Sequence, residues 1–466
     1  HYFNNLSIQK TPGSHVTLHS AIQVLGNMEI FSGVLDSNGE NIYVGGNWTQ
    51  YGGPGCFDES AGTLAQVIFN GTGDQTISGT EEFNHIWNNI SGGGLVIGPG
   101  ADVSASQYYH FDHGLWIEAG GSFEAELVDI YGYDSFIGEF TVHGYLGLTL
   151  APDQDANIGG TVTIGSEGEF HIHGGQSPCI VNDGGSVSCN GTLYFHDIGV
   201  EVWNDGNLLM NGGDLYVAGG LWVYNQYSML YGGTVHFVGG GDCAFLPPTT
   251  GFTGLSLEKA SINDVVTVNN RDIGLMGDLV IGTGQLHMNG LDLMIGGDAQ
   301  ISGRLEMEGG DLRLGAGSAF DVLSGGKLVL EGTASDLSYV TRSAASTGYY
   351  SLNVHDGGGI GAAYTVFEYM GTQGVNVHPG AWVYDDCFLH CVFRNGADAG
   401  TLLKLDNSQN ILLYGVNFPY NDWGGIINVS KATDEGNVYM VMATGSFSGA
   451  AHESDPYGRI DWGTQI

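Results

Sequence analysis

The sequence predicts an all-β chain folded as a right-handed parallel β-helix, or β-solenoid, that is internally duplicated. Three observations lead to this prediction. Short segments alternate apolar and polar residues, Gly, Asn or Asp stands at nearly every corner between them, and two long segments repeat. The 466 residues include 80 Gly, and 42% are hydrophobic, so the chain has many corners and ample apolar area to bury.

The short segments have the period-two alternation of strands. Examples are residues 168–172 (GEFHI), 191–195 (GTLYF), 213–217 (GDLYV) and 233–237 (GTVHF), each of which begins at Gly. Glycine allows the positive φ that a tight corner needs. An antiparallel barrel would use similar turns, but the uniform strand length over hundreds of residues favours stacked coils. With coils of roughly 20 residues spaced about 4.8 Å apart, we expect on the order of 20 coils.

The duplication is visible in two pairs of segments. Residues 3–10 (FNNLSIQK) match residues 252–259 (FTGLSLEK), and residues 33–46 match residues 284–297. The same corners and apolar positions recur, as stacking requires. We therefore expect a first solenoid half over residues 1–250, a second over 251–401, and final coils with a C-terminal cap over 402–466.

The ends of the predicted solenoid attract attention because an uncovered coil exposes unpaired backbone. His1, Tyr2 and Phe3 lead almost directly into repeat sequence, without a helical cap. A head-to-tail contact between copies does not close and so produces filaments. We therefore expect end-to-end assembly, with Tyr2, Phe3, Ile460 and Trp462 as candidate assembly residues. A trimmed chain or the removal of flanking domains is the alternative.

The charge excludes several classes of function. Eleven Lys and Arg stand against 50 Asp and Glu, a formal net charge of -39, which disfavours nucleic-acid binding and attachment to anionic lipid. No apolar stretch has the length of a membrane span, so no membrane insertion is expected. Divalent cations would relieve the repulsion, which makes Ca²⁺ the candidate cofactor. A solvated acidic surface is the alternative.

Two sets of residues are candidate metal ligands. Asp153, Asp155 and Asn157 have the spacing of the first three ligands of an EF-hand loop, although the later ligand positions do not match. His171 and His173 would lie on one face of a strand about 7 Å apart, with no third ligand evident. Asx turns and stacked imidazoles are the structural alternatives.

Six cysteines suggest disulfides in an oxidising, extracellular setting. Cys179 with Cys189, and Cys387 with Cys391, are the candidate pairs. Buried free thiols acting as small apolar side chains are the alternative.

A cluster of aromatic residues is a candidate glycan-binding surface, because exposed rings stack on sugar faces. Its members are Trp222, Tyr224, Tyr227 and Tyr231. Packing of these rings along successive coils is the alternative.

Phrases in the sequence resemble the repeats of large secreted β-helix surface proteins of Bacteroidota-like bacteria, and are broadly similar to autotransporter and filamentous-haemagglutinin-type adhesins. They are residues 44–48 (VGGNW), 67–79 (VIFNGTGDQTISG) and 83–86 (FNHI). The resemblance implies rods displayed on or shed from the cell surface, sometimes calcium-stabilised, that form fibres or bind glycans. Because fold does not fix function, it says little about activity.

Polysaccharide lyases and hydrolases also use β-helices, so an enzyme is an alternative. Asp385 and Asp386 form the one adjacent acidic pair in a promising context, but the Asn-Thr-Asp, Gly-His-Gly and Arg-Ile-Lys signatures of polygalacturonases are missing. We therefore predict a non-enzymatic, extracellular or cell-surface protein of structural or adhesive function. Its expected partners are copies of itself and surface glycans.

Overall fold

The computed structural model confirms the β-solenoid. It describes residues 1–53, 55–59, 65–111, 115–126, 139–150, 157–158, 160–174, 179–181, 185–196, 198–202, 206–224, 230, 232–344, 347–384, 387–419 and 427–463. All strand pairings among them are parallel, and the one helix among them is a 3-10 turn, Ala450–His452. No helix in this part of the chain has the length and apolar character needed to cross a bilayer.

The chain divides into two compact units, His1–Gly233 and Thr234–Ile466. Together they comprise about 18 turns, close to the number expected from the sequence. The predicted boundary at residues 250/251 follows sequence duplication, and the one at 401/402 follows a change in sequence character. Both stay predictions.

In the first unit, consecutive turns contribute strands to three faces. The first face contains Tyr2–Phe3, Ile22–Val24, Ile42–Val44, Val67–Phe69, Thr80–Asn88, Asp102–Phe111, Ser122–Glu126, Tyr145–Leu150, Glu169–Gly174, Thr192–Phe195 and Asp214–Val217. The second contains Leu6–Gln9, Met28–Ser32, Trp48–Gln50, Gln75–Ser78, Leu95–Ile97, Leu115–Ile117, Glu139–Val142, Thr161–Ile164, Ser186–Cys189 and Asn207–Met210. The remaining strands of this unit are His15–Thr17, Val34–Asp36, Phe57–Asp58, Asn157–Ile158, Cys179–Val181, Val200–Val202 and Leu221–Val223.

The second unit is also built from faces of parallel strands. Its first face contains Thr234–Gly239, Gly254–Lys259, Leu279–Thr283, Ala299–Ile301, Ala319–Val322, Tyr350–Val354, Met370–Val377, Leu403–Leu405, Val429–Ser430 and Glu453–Ser454. Its second contains Cys243–Leu246, Val265–Val268, Gln285–His287, Arg304–Met307, Lys327–Glu331, Gly359–Ala363 and Trp382–Val383. The remaining strands are Ile273–Leu275, Leu293–Ile295, Leu312–Leu314, Ser338–Arg342, Thr365–Glu368, Val392–Arg394, Ile411–Tyr414, Val438–Val441 and Ile460–Trp462.

The core follows from the alternation along each strand. In Thr192–Phe195, Leu193 and Phe195 are buried, while Thr192 and Tyr194 lie on the outer face and are half-buried. Pairing in register places like residues above one another, as where Leu193 pairs with Leu215. Apolar side chains therefore form continuous columns inside, and the outward side chains form equally regular columns outside.

Asn and Asp side chains link the corners of successive turns. In the first unit, Asn5 Oδ1 accepts the backbone N–H of Asn27 over 2.8 Å, and Asn27 Oδ1 accepts that of Asn47 over 3.0 Å. In the second unit, Asp278 Oδ1 accepts the N–H of Asp298 over 2.8 Å. These bonds satisfy backbone donors where the strand ladder is interrupted. They also give part of the large acidic complement a structural role.

The two matched sequence segments have matching local structure. Gly33 and Gly284 take positive φ angles of 84° and 96°, and Asn38 and Asn289 take 49° and 53°. Strands begin and end at corresponding residues, as in Ile42–Val44 and Leu293–Ile295. This agreement is what a duplication would produce, and the duplication itself stays a prediction.

Candidate functional sites

A cluster of three imidazoles lies on the outer face of the first unit. His171 and His173 both belong to strand Glu169–Gly174, as the sequence predicted. The neighbouring strand Thr192–Phe195 pairs with it in a register that sets Ile172 beside Phe195. His196 follows Phe195, and its ring lies beside that of His173. One ligand atom from each imidazole lies within 4.8 Å of the other two. Sequence reasoning missed His196.

Hydrogen bonding and stacking fix these rings. His171 Nδ1 lies 2.8 Å from His196 Nε2, and His171 Nε2 lies 3.4 Å from a carboxylate oxygen of Glu169. The rings of His173 and His196 stack with centroids 3.7 Å apart and planes 8° apart. Partial burial is the largest influence on His171 and lowers its pKa, although Glu169 acts in the opposite direction. The neutral form that burial favours is the form of imidazole that binds metal ions.

Tyrosines continue the column in which these imidazoles lie. The Tyr145 ring contacts the His171 ring at a centroid distance of 4.9 Å, and Tyr194 stacks on Tyr216 at 4.9 Å with planes 1° apart. The cluster is therefore held on a rigid sheet face rather than on a loop.

A groove of about 420 Å³ on the second unit is a second candidate site. Arg304 and Lys327 face each other across paired strands at its side, two of only 11 basic residues in the chain. The Tyr384 ring also lines it, 5.7 Å from Lys327 Nζ. This ring lies over Gly359, where an added Cβ would come within 2.6 Å of the Tyr384 hydroxyl. Trp382, paired with Gly359, is 58% exposed.

The other predicted glycan-binding cluster is only partly described. Trp222 is half-buried, and an added Cβ at Gly199 would lie 2.7 Å from its ring. Tyr224 is exposed, and Tyr227 and Tyr231 lie outside the described residues. Of the predicted calcium ligands, Asp153 and Asp155 lie outside the described residues, and Asn157 begins a two-residue strand. Calcium binding there stays a prediction, as does the role of Asp385 and Asp386, which also lie outside.

The predicted assembly residues differ in exposure. Tyr2 is 79% exposed and Phe3 37%, whereas Ile460 is buried. Trp462 is half-buried, and its Nε1 donates a hydrogen bond to Glu453.

No family model, no curated protein and no solved structure is significantly similar to this chain.

All six cysteines are free thiols in the structure, so the predicted bonds Cys179–Cys189 and Cys387–Cys391 are not formed in it. Cys179 and Cys189 belong to strands of different sheets, and both are buried. Burial raises the pKa of each of these two thiols to about 12, which leaves them unreactive near neutral pH.

We expect slow alkylation of the four buried thiols in the native chain. Denaturation without reductant, followed by alkylation and mass spectrometry, should then add six alkyl groups, because all six cysteines are free. Each disulfide would block two alkylations and lower the mass of the chain by two hydrogens. That result would instead support the predicted disulfides.

Two carboxyl groups, Glu59 and Glu81, are buried in the first unit beside an aromatic cluster. Glu81 is 1% exposed and accepts a hydrogen bond from Trp48 Nε1 over 3.1 Å, and Glu59 accepts one from the backbone N–H of Asn84. Loss of hydration on burial raises the pKa of both carboxyls to about 8. The Trp48 ring also packs edge-on against Phe83 at 5.3 Å. Protonated carboxyls in such surroundings act as core hydrogen-bonding groups.

These pKa values make the stability of the chain pH-dependent. Folded, each carboxyl keeps its proton to about pH 8, and unfolded only to about 4.5. The free energy of unfolding therefore falls as pH rises across this window, by about 1.4 kcal/mol per pH unit for each carboxyl. Glu81→Gln keeps an acceptor for Trp48 and removes one titration. We expect its thermal midpoint to fall less than that of the wild type between pH 5.5 and 8.5.

The exposed neighbour Glu82 supplies the control. Its charge makes only the smallest of the contributions to the raised pKa of Glu81, so Glu82→Gln should leave the wild-type pH profile nearly unchanged. A Glu81→Gln profile as steep as that of the wild type would show that this carboxyl does not carry the dependence.

Proposed function

We propose that this chain is an extracellular structural β-solenoid whose first turn pairs with a second copy of the chain. The observation that carries the proposal is a contrast between two turns of matching sequence. The turn at residues 252–268 is covered by the turn that precedes it, whereas its counterpart at residues 3–17 is paired on one side only among the described residues.

The apolar residues of the two turns differ accordingly. Phe252 is 1% exposed and packs edge-on against Phe245 of its covering turn at 5.8 Å. Its counterpart Phe3 is 37% exposed, and the adjacent Tyr2 is 79% exposed. Covering these two rings would remove apolar area from water, which favours association.

Lysine side chains give a second contrast. Lys259 is buried and its Nζ donates a hydrogen bond to the Val238 carbonyl of the covering turn over 2.9 Å. Lys10 occupies the matching position and is exposed. The Cβ atom of Lys10 lies close to Gly33, and that of Lys259 lies close to the matching Gly284. The two side chains therefore start from similar surroundings. Lys10 is thus placed to reach a carbonyl of a covering turn.

A second copy can pair with this edge, which is paired on one side only among the described residues. An uncovered parallel edge is best satisfied by another parallel strand. At the other end of the sequence, strands Glu453–Ser454 and Ile460–Trp462 also pair on one side only among the described residues, and they are the candidate donors. A net charge of -39 opposes contact between copies, so salt or Ca²⁺ should promote it. The resemblance to secreted β-helix adhesins supports the extracellular, cell-surface setting, and the matching turns support an internal duplication.

The test blocks the open edge without disturbing the pairing inside the chain. Leu6 N–H donates to the Asn27 carbonyl, so the alternation of a parallel strand directs Ser7 N–H to the opposite edge, which has no partner among the described residues. Ser256, the counterpart of Ser7, pairs with His236 of its covering turn. Ser7→Pro removes the outward donor, and Ser7→Ala keeps it. In light scattering at high salt or with Ca²⁺, we expect concentration-dependent oligomers for the wild type and Ser7→Ala, and at least about tenfold weaker association for Ser7→Pro.

Monomeric wild-type chain at all concentrations, in high salt and with Ca²⁺, would overturn self-assembly. Equal association of Ser7→Pro and Ser7→Ala, with unchanged circular dichroism, would place the contact elsewhere.

The groove of the second unit supports a second candidate function, glycan binding. Tyr384 provides a ring face in the groove, and the exposed Trp382, two residues before it, provides another beside the groove. Arg304 and Lys327 provide donors for hydroxyl or carboxylate groups. Such a set is typical of a sugar site. Its location differs from that of the Trp222 cluster predicted from the sequence.

A glycan array followed by calorimetry tests this candidate. We expect Trp382→Ala to weaken binding of any glycan found at least about tenfold, because a stacked ring contributes on the order of 1–2 kcal/mol. Tyr224→Ala, which removes an exposed ring of the first unit, is the control and should bind as the wild type does. No binding on the array, or equal loss in both variants, would count against this groove.

A further inference from the structure

The three imidazoles of the first unit have the composition and spacing of a metal centre. Two come from alternate positions of one strand, and the third directly follows the paired strand of the next turn, where its backbone N–H donates to the Ile172 carbonyl over 3.0 Å. The backbone ladder therefore holds all three in place. Their ligand atoms lie within 4.8 Å of one another. We propose that His171, His173 and His196 bind one divalent transition-metal ion, with Zn²⁺ as the reference ion. This inference does not depend on the self-assembly proposed above.

The distances suit a tetrahedral ion after small movements. Zn–N bonds of about 2.0–2.1 Å at tetrahedral angles place ligand nitrogens about 3.3 Å apart. His171 Nδ1 and His196 Nε2 are 2.8 Å apart, joined by a hydrogen bond in which one nitrogen must carry the proton. An ion between them takes the place of that proton and needs the two rings to separate by about half an ångström.

His173 needs the larger movement. Its ring lies parallel to that of His196, with centroids 3.7 Å apart, and an imidazole nitrogen binds an ion close to its own ring plane. The two planes must therefore tilt away from their present 8° angle for both rings to bind the same ion. Ion binding thus exchanges a stacking contact for a coordination bond.

The surroundings select both the ligand atom and the class of ion. Glu169 faces His171 Nε2 at 3.4 Å, which leaves Nδ1 directed at His196. A carboxylate on the far nitrogen is the arrangement that orients metal-binding imidazoles. Three nitrogen donors favour Zn²⁺, Ni²⁺ or Cu²⁺ over Ca²⁺ and Mg²⁺, which prefer oxygen. Three protein ligands leave a fourth position for water or another ligand.

A histidine pair in the second unit offers a matched comparison. His355 and His378 contact each other with ring centroids 4.7 Å apart. His355 Nε2 bonds to Asp321 and His378 Nε2 to Asn376, and this pair belongs to no group of three ligands among the described residues. It has the ring contact of the first cluster without the third imidazole.

The experiment titrates ZnCl₂ into the full chain after chelator treatment and follows heat of binding, thermal midpoint and zinc K-edge absorption. We expect one ion per chain, a raised midpoint, and an absorption spectrum of imidazole ligands. His196→Phe keeps a flat ring for stacking and removes a ligand nitrogen, and it should weaken binding at least about tenfold and abolish the rise in midpoint. His378→Ala should bind as the wild type does.

Three outcomes would overturn the proposal. They are no zinc binding by the wild type, equal affinity of His196→Phe and the wild type, and a bound ion whose spectrum lacks imidazole ligands. His173→Phe provides a second variant should His196→Phe fail to fold, and it is expected to lose binding to a similar degree.

Discussion

The register between successive turns is the constraint on which the rest of this structure depends. Parallel pairing fixes each residue above its counterpart one turn away, and Asn and Asp side chains extend the ladder across the corners, as from Asp292 to Asp311. A shift of one residue would turn every core side chain outward, so the apolar columns and the register reinforce each other. Carboxylates at these corners accept backbone N–H groups, which favours acidic residues at positions where charge alone would disfavour them.

The same register produces the candidate sites. Outward residues one turn apart in sequence become neighbours only because the turns are stacked, and this is how His171, Tyr194 and Tyr216, from three consecutive turns, form one column. The nearest outward neighbours of a residue therefore lie on the adjacent turns, so a site on this surface runs along the solenoid axis rather than along one strand. A ligand group assembled in this way needs no loop, and its geometry is as rigid as the sheet that carries it.

The sequence was sufficient to predict the fold because alternation and corner residues are local signals. The third imidazole was missed because His196 lies one residue beyond the alternating segment 191–195, and no local pattern shows that the next turn brings it beside His173. Glu81 lies two residues before Phe83 on the same strand, so the alternation indicates that both side chains point into the core. No local pattern shows that a carboxyl at such a position is kept there in its protonated form. The groove at Tyr384 was unpredictable because its ring lies over Gly359, a contact set by the stacking of two turns.

Stacking also bears on how far such a chain can extend. Backbone edges pair equally well whether the next turn belongs to the same chain or to another, so hydrogen bonding alone does not limit the solenoid. Charge does, because most carboxylates remain without a basic partner when 50 acidic residues face 11 basic ones. Within the chain, this repulsion is opposed by the buried columns and by lysines such as Lys431, whose Nζ donates to the Leu405 and Asn407 carbonyls. Between copies the same repulsion acts across the contact, so ionic strength and divalent cations become the natural control of association.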